Sequence, residues 1–281
     1  MKNKKKIIFS FLSVSMFSVL FLLSNTWASE NNATVYVDYG MTINTETPNL
    51  FGICHYPPEN RISAVMPLIQ NAGFNTIRYD FYYENIIPSS ICPSLDYYKA
   101  NTNNIQDPNS WNWSGLFWLT DAYNRGMRIM AISTYCPTWL SYSGTNTGVP
   151  KDWDVYQDIV KKVYQKYKSM ITRVEMYNEI DYFLDLTNSP YSSKNVAITD
   201  MYYYAASAIR SIDSNAVIGG IAPAYYNEQQ QYEELLSNSR LQPSSNLFNF
   251  FTYHSYCMTP PGGCNNYRDT CKDHGYPYTI P

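Results

Sequence analysis

The chain of 281 residues reads as an α/β protein on the (β/α)8 TIM barrel plan, incomplete, with about six of the eight strands present. Three observations predict this. Short apolar runs alternate strictly with longer amphipathic ones, the pattern of a parallel sheet covered by helices. The turns leading from helix into strand are short, whereas those after strands are long and rich in Tyr, Trp, Pro and Asn, as in 81–114 and 136–151. Finally, the run from Ile171 to Tyr177 delivers an Asn-Glu pair, Asn178 and Glu179, to its own carboxyl end, where barrels place their chemistry.

After a leading strand at Thr34 to Val37, the predicted strands are Leu50 to Cys54, Thr76 to Tyr79, Arg128 to Ser133, Ile171 to Tyr177, Val217 to Ile221 and Phe248 to Tyr253. The helices between them are Arg61 to Ala72, Gly115 to Arg125, Trp153 to Ser169, Asn195 to Asp213 and Glu228 to Ser237. The third is the clearest: Val155, Ile159, Val160, Val163 and Tyr167 share one face, and Lys161, Lys162 and Lys166 the other. Gly73, Gly126 and Ser214-Asn215 punctuate the returns into strands. A doubly wound sheet would alternate too, but it usually has a Gly-rich phosphate turn after its first strand, and Phe51 to Pro57 is not one.

Lys2, Lys4, Lys5 and Lys6, an apolar run from Ile7 to Leu23, and Thr26-Trp27-Ala28 follow the order of a secretory leader. The expected organisation is therefore a signal peptide over 1–28 and a barrel domain over 29–281, C-terminally truncated because the sequence stops beyond its sixth strand. Export follows from that leader, with no membrane association once it is removed. Six cysteines in an exported chain favour disulfides, with pairings open among Cys54, Cys92, Cys136, Cys257, Cys264 and Cys271. A metal site of His254 with the last three is the weaker reading, since the paired short gaps of zinc sites are missing. A net charge of −3 without a basic patch gives no hint of nucleic-acid binding, and 28 Tyr and 6 Trp suit rings that stack on sugars or simply cover surface.

An Asn-Glu pair alone decides nothing, because Asn227-Glu228 repeats it as an ordinary helix cap and first-turn acid. Glu179 differs in following an apolar run in which period-two spacing puts Glu175, Tyr177 and Glu179 on one face. Buried acids on a strand are costly unless paired or functional.

Together these residues resemble retaining glycoside hydrolases of the (β/α)8 type, β-xylosidases and related families, whose fourth strand carries Glu-x-x-Asn-Glu. Glu175, Asn178 and Glu179 match that motif. Arg78 at the end of strand two, Pro137-Thr138-Trp139 after strand three and His254-Ser255-Tyr256 after strand six match in order over Leu50 to Tyr256. The resemblance implies a hydrolase of β-linked polysaccharide or oligosaccharide that needs no cofactor or metal. In it Glu179 is general acid/base, with a raised pKa, and Asn178 grips the sugar's 2-hydroxyl. Arg78 and Tyr256 orient the nucleophile, Trp139 is a sugar platform, and His55 and His254 line the cleft. Ile180 and Asp181 depart from the usual Pro and Asn, and the strand-seven nucleophile has no counterpart. Glu175 cannot replace it, lying about 13 Å from Glu179 along an extended strand, whereas retaining chemistry needs carboxyls about 5 Å apart. A noncatalytic carbohydrate-binding protein and an inactive truncated product are the alternatives.

Overall fold

A computed structural model of the chain describes residues 52–224, 229–252 and 254. The expected leading strand, the leader, Tyr256 and three of the cysteines lie outside the described residues. The strands are β1 (Gly52–Cys54), β2 (Thr76–Tyr82), β3 (Arg128–Thr134), β4 (Arg173–Met176) and β5 (Ile218–Gly219). They form one sheet in the order β1-β2-β3-β4-β5, and every neighbouring pair is parallel. Chain order and sheet order coincide, so among these strands there is no reversal of the kind that creates a doubly wound switch point. The sheet is an incomplete α/β barrel.

Eight α-helices are described: α1 (Ile62–Asn71), α2 (Tyr83–Ile86), α3 (Leu95–Ala100), α4 (Phe117–Asn124), α5 (Trp153–Tyr167), α6 (Ile180–Phe183), α7 (Lys194–Arg210) and α8 (Gln229–Ser237). Five of them, α1, α4, α5, α7 and α8, are the predicted helices, with bounds that differ by at most three residues. The other three, α2, α3 and α6, sit in the long loops after β2 and β4. Helix α5 starts where the Asp152 carboxylate accepts the Val155 N–H at 3.0 Å, satisfying a backbone donor that the first turn leaves free. Its Ile159, Val160 and Val163 are buried, each contributing about 1.5–3 kcal/mol by leaving water, and Lys162 ion-pairs with Asp158 on the outer side.

Three strands are shorter than the sequence predicts. β5 keeps only Ile218–Gly219, and the sixth run contributes a single parallel bridge, Gly219 to Phe250. Close approach explains the glycine: a Cβ on Gly219 would stand 2.0 Å from the Phe250 carbonyl oxygen. β4 begins two residues late, at Arg173, and ends one residue early, at Met176. Among the described residues Cys54, Cys92 and Cys136 are free thiols, which corrects the disulfide expectation for those three. Cys92 and Cys136 are buried, and burial pushes the Cys92 thiol up to about 11.

Candidate active site

The tip of β4 bends sharply. Tyr177 and Glu179 have φ of 70° and 51°, the left-handed region that side chains with a Cβ seldom enter, and Ala222 opposite has 43°. Such residues cost about 1–3 kcal/mol each and persist where the surroundings hold them. Here Tyr177 N–H donates to the Ser133 carbonyl at 3.2 Å, and Glu179 N–H to the Ala222 carbonyl at 2.8 Å. The bend corrects the period-two reading. Tyr177 turns away from Glu175 towards the helices, bonding to the Tyr156 hydroxyl of α5 at 2.7 Å and to the Met201 carbonyl of α7 at 2.8 Å. It also undoes the sequence-based separation of Glu175 and Glu179, which assumed an extended strand through both.

Glu175 points the other way and meets Arg78, which reaches past β3 from within β2; that strand runs on to Tyr82, so Arg78 does not end it as the sequence predicts. Arg78 Nε donates to Glu175 Oε2 at 2.6 Å, and one terminal nitrogen donates to Asn178 Oδ1 at 2.8 Å. The other approaches Cys54 Sγ at 3.4 Å. Arg78 is thus tied to Glu175 rather than to Asp80, whose carboxyl instead accepts from the Thr134 hydroxyl at 3.2 Å. Glu175 is 1% exposed, and that burial raises its pKa although the guanidinium pulls the other way. The Thr252 side chain, in the sixth run, hydrogen-bonds to the same carboxylate and also pulls it down.

Glu179 faces His254, with Oε1 and Nδ1 2.5 Å apart. Both side chains are mostly covered, 13% and 22% exposed, so the carboxyl is reachable yet poorly hydrated. The His254 N–H donates to the Pro223 carbonyl at 3.2 Å, which fixes the histidine to the β5 loop. That loop is held in turn by the Asp181 carboxylate, which accepts the Ala224 N–H at 2.9 Å. Tyr135 donates from its hydroxyl to the Asn178 carbonyl and stacks on Tyr177.

Of the residues singled out in the sequence, Arg78, Asn178, Glu179 and His254 come together. His55 is exposed at the end of β1, edge-on to Tyr79 at 5.3 Å, and is joined to the site through its backbone, which donates to the Arg78 carbonyl at 2.9 Å. Trp139 departs from the platform expectation: it is 6% exposed, stacked on Tyr98, and its indole N–H donates to the Ile87 carbonyl at 2.8 Å. A ring covered in this way is a strut of the long loops and offers no open face. Sequence reasoning missed Tyr135 and the anchoring role of Asp181. The first has only its place just after β3 as a signal, and the second only its departure from the family motif.

The model of one protein family, Cellulase (glycosyl hydrolase family 5), matches residues 38–280. No curated protein matches the chain. Among solved structures, a glucosidase from Croceicoccus marinus aligns with a TM-score of 0.60 at 17% identity, over 81% of this chain and 49% of that one. The catalytic domain of GH30 xylanase C from Talaromyces cellulolyticus aligns with a TM-score of 0.50 at 15% identity, over 73% and 52%. A psychrophilic glycoside hydrolase family 10 endo-β-1,4-xylanase aligns with a TM-score of 0.52 at 12% identity, over 80% and 70%. At these identities the likeness is one of fold. The chain spans about half the length of the first two structures.

Proposed function

The chain belongs to the cellulase family, glycosyl hydrolase family 5, and on that footing we propose that it forms part of a secreted glycosidase that hydrolyses O-glycosidic bonds in β-linked polysaccharide or oligosaccharide. The observation that carries the reading is the Glu179 carboxyl, set beside His254 at a bent strand tip with Asn178 next to it. Glu179 donates a proton to the glycosidic oxygen as the bond to the anomeric carbon breaks, then takes one from the attacking water. The Asn178 amide donates to the sugar's 2-hydroxyl, a contact that tightens as positive charge grows on the ring.

A retaining scheme also needs a second carboxylate as nucleophile, and no residue of this sequence is assigned that part. Xylan or glucan is the substrate class that fits the family and fold. The leader over 1–28 supplies the route of export.

The test is release of reducing ends from xylo- and cello-oligosaccharides by a form carrying the whole catalytic domain, with and without Glu179→Gln. General acid–base catalysis contributes about 10²–10⁴-fold, so a loss in that range is expected. An unchanged rate would remove Glu179 from the mechanism, and binding without turnover in the unsubstituted protein would leave a carbohydrate-binding role.

A further inference from the structure

Arg78 is the one contact that joins Glu175 to Asn178, and the chemistry of a guanidinium makes that junction directional. It carries donors only, so the Asn178 amide must turn its oxygen towards Arg78, as the 2.8 Å contact has it. The amide nitrogen then faces away with its hydrogens available, and Asn178 becomes a donor to whatever lies in the cleft. An amide free to rotate would present oxygen or nitrogen equally well. The orientation of Asn178 therefore depends on where Arg78 is held, and Glu175 holds it at 2.6 Å through Nε, leaving a terminal nitrogen for the amide. The third contact, to Cys54 Sγ at 3.4 Å, is a hydrogen bond to a weak sulfur acceptor. Room for the anchor comes from the residue just after β5, where a Cβ on Gly220 would stand 2.7 Å from Glu175 Cγ.

We propose that Glu175 is a positioning residue for sugar recognition, fixing Arg78 so that Arg78 in turn locks the Asn178 amide as a donor to a substrate hydroxyl. This rests on the reading of the cleft as a glycoside site. Glu175 takes no part in bond cleavage. Its burial fits a side chain kept for the guanidinium rather than for solvent or substrate.

The experiment uses the whole catalytic domain, labelled with 15N, and two substitutions. Glu175→Gln weakens the anchor. Arg78→Lys keeps the charge pair but replaces the planar fork with a point charge that cannot hold both partners, so it tests the same link even where Glu175→Gln folds poorly. The Asn178 Nδ2 resonance is expected to move in both variants. kcat/KM on a β-linked oligosaccharide is expected to fall about 100-fold, as when a reacting group is misplaced by an ångström or so. A 2-deoxy glycoside, with no 2-hydroxyl to grip, should lose much less in the same variants, a split that general destabilisation would not produce. An unmoved Asn178 resonance in both variants overturns the proposal, as does an equal loss on both substrates. A moved resonance in a wild-type protein that neither binds nor cleaves glycosides leaves the positioning of Asn178 standing and overturns the glycosidase reading instead.

Discussion

Glu179 and His254 meet at 2.5 Å across the top of the sheet, although 75 residues separate them in the chain. The contact joins the bent tip of β4 to the segment that follows the Phe250 bridge, so the acid is oriented by a residue two crossovers later. Replacing His254 with Ala should lower kcat in the oligosaccharide assay by about 100-fold with little change in KM, since orientation of the reacting group is lost while the sugar contacts remain. His254→Asn, which keeps a side-chain donor, should retain more activity. Equal rates for His254→Ala and the unsubstituted protein would make the contact incidental.

Gly220 carries a different kind of constraint. Its φ is 93°, and a Cβ there would lie 2.7 Å from Glu175 Cγ and 3.0 Å from the Met176 nitrogen. Gly220→Ala should destabilise the fold by about 2–4 kcal/mol, from overpacking and a disfavoured backbone conformation together. Gly115, which has open space around it, is the control: its change to Ala should stay within about 0.5 kcal/mol. Urea unfolding midpoints for the two variants check this, and similar midpoints would refute the steric account.

The acid limb of stability has an identifiable contributor outside the cleft. Burial pushes the Asp121 carboxyl up, but hydrogen bonds from Arg125 and Tyr56 outweigh it and hold its pKa below the ordinary 3.8. A depressed carboxylate lends stability that is present above the unfolded-state value and is lost as pH falls through the folded-state value. Asp121→Asn should therefore be less stable than the parent near neutrality and converge with it in strong acid. The group is about one-third exposed, so the difference should be modest, about 0.2–1 kcal/mol. Thermal melts between about pH 7 and pH 2 would show the convergence, and a constant offset would contradict it.

Regular periodicity made most of the scaffold legible. β2, β3, α5 and α7 are long enough for their apolar spacing to register, and their observed bounds differ from the predicted ones by only a few residues. β5 and the sixth run were drawn too long because apolar residues there serve packing as much as pairing: Phe248 and Phe251 are buried against Tyr232 of α8 without strand pairing. In the site, Glu179, Asn178 and Arg78 were visible through the spacing of the motif and its place after an apolar run. The partner of Arg78 was not, because no local pattern says which strand a guanidinium will cross to. Trp139 was misread for a related reason: a sequence marks an aromatic ring, but its stacking on Tyr98 and the bond of its indole N–H to the Ile87 carbonyl are properties of distant segments.

The bend at Tyr177 also sets how this part of the chain can change in length. Glu175 is fixed towards Arg78 and Tyr177 towards α5 and α7, with Asn178 and Glu179 following at once. Inserting or deleting a single residue between Glu175 and Asn178 would put a tyrosine into the cleft or an acid among the helices. The long loops after β2 and β3 face no such restriction at their exposed parts and can gain or lose residues freely. Variation in chain length should accordingly accumulate around the cleft while the span from Glu175 to Glu179 stays at five residues.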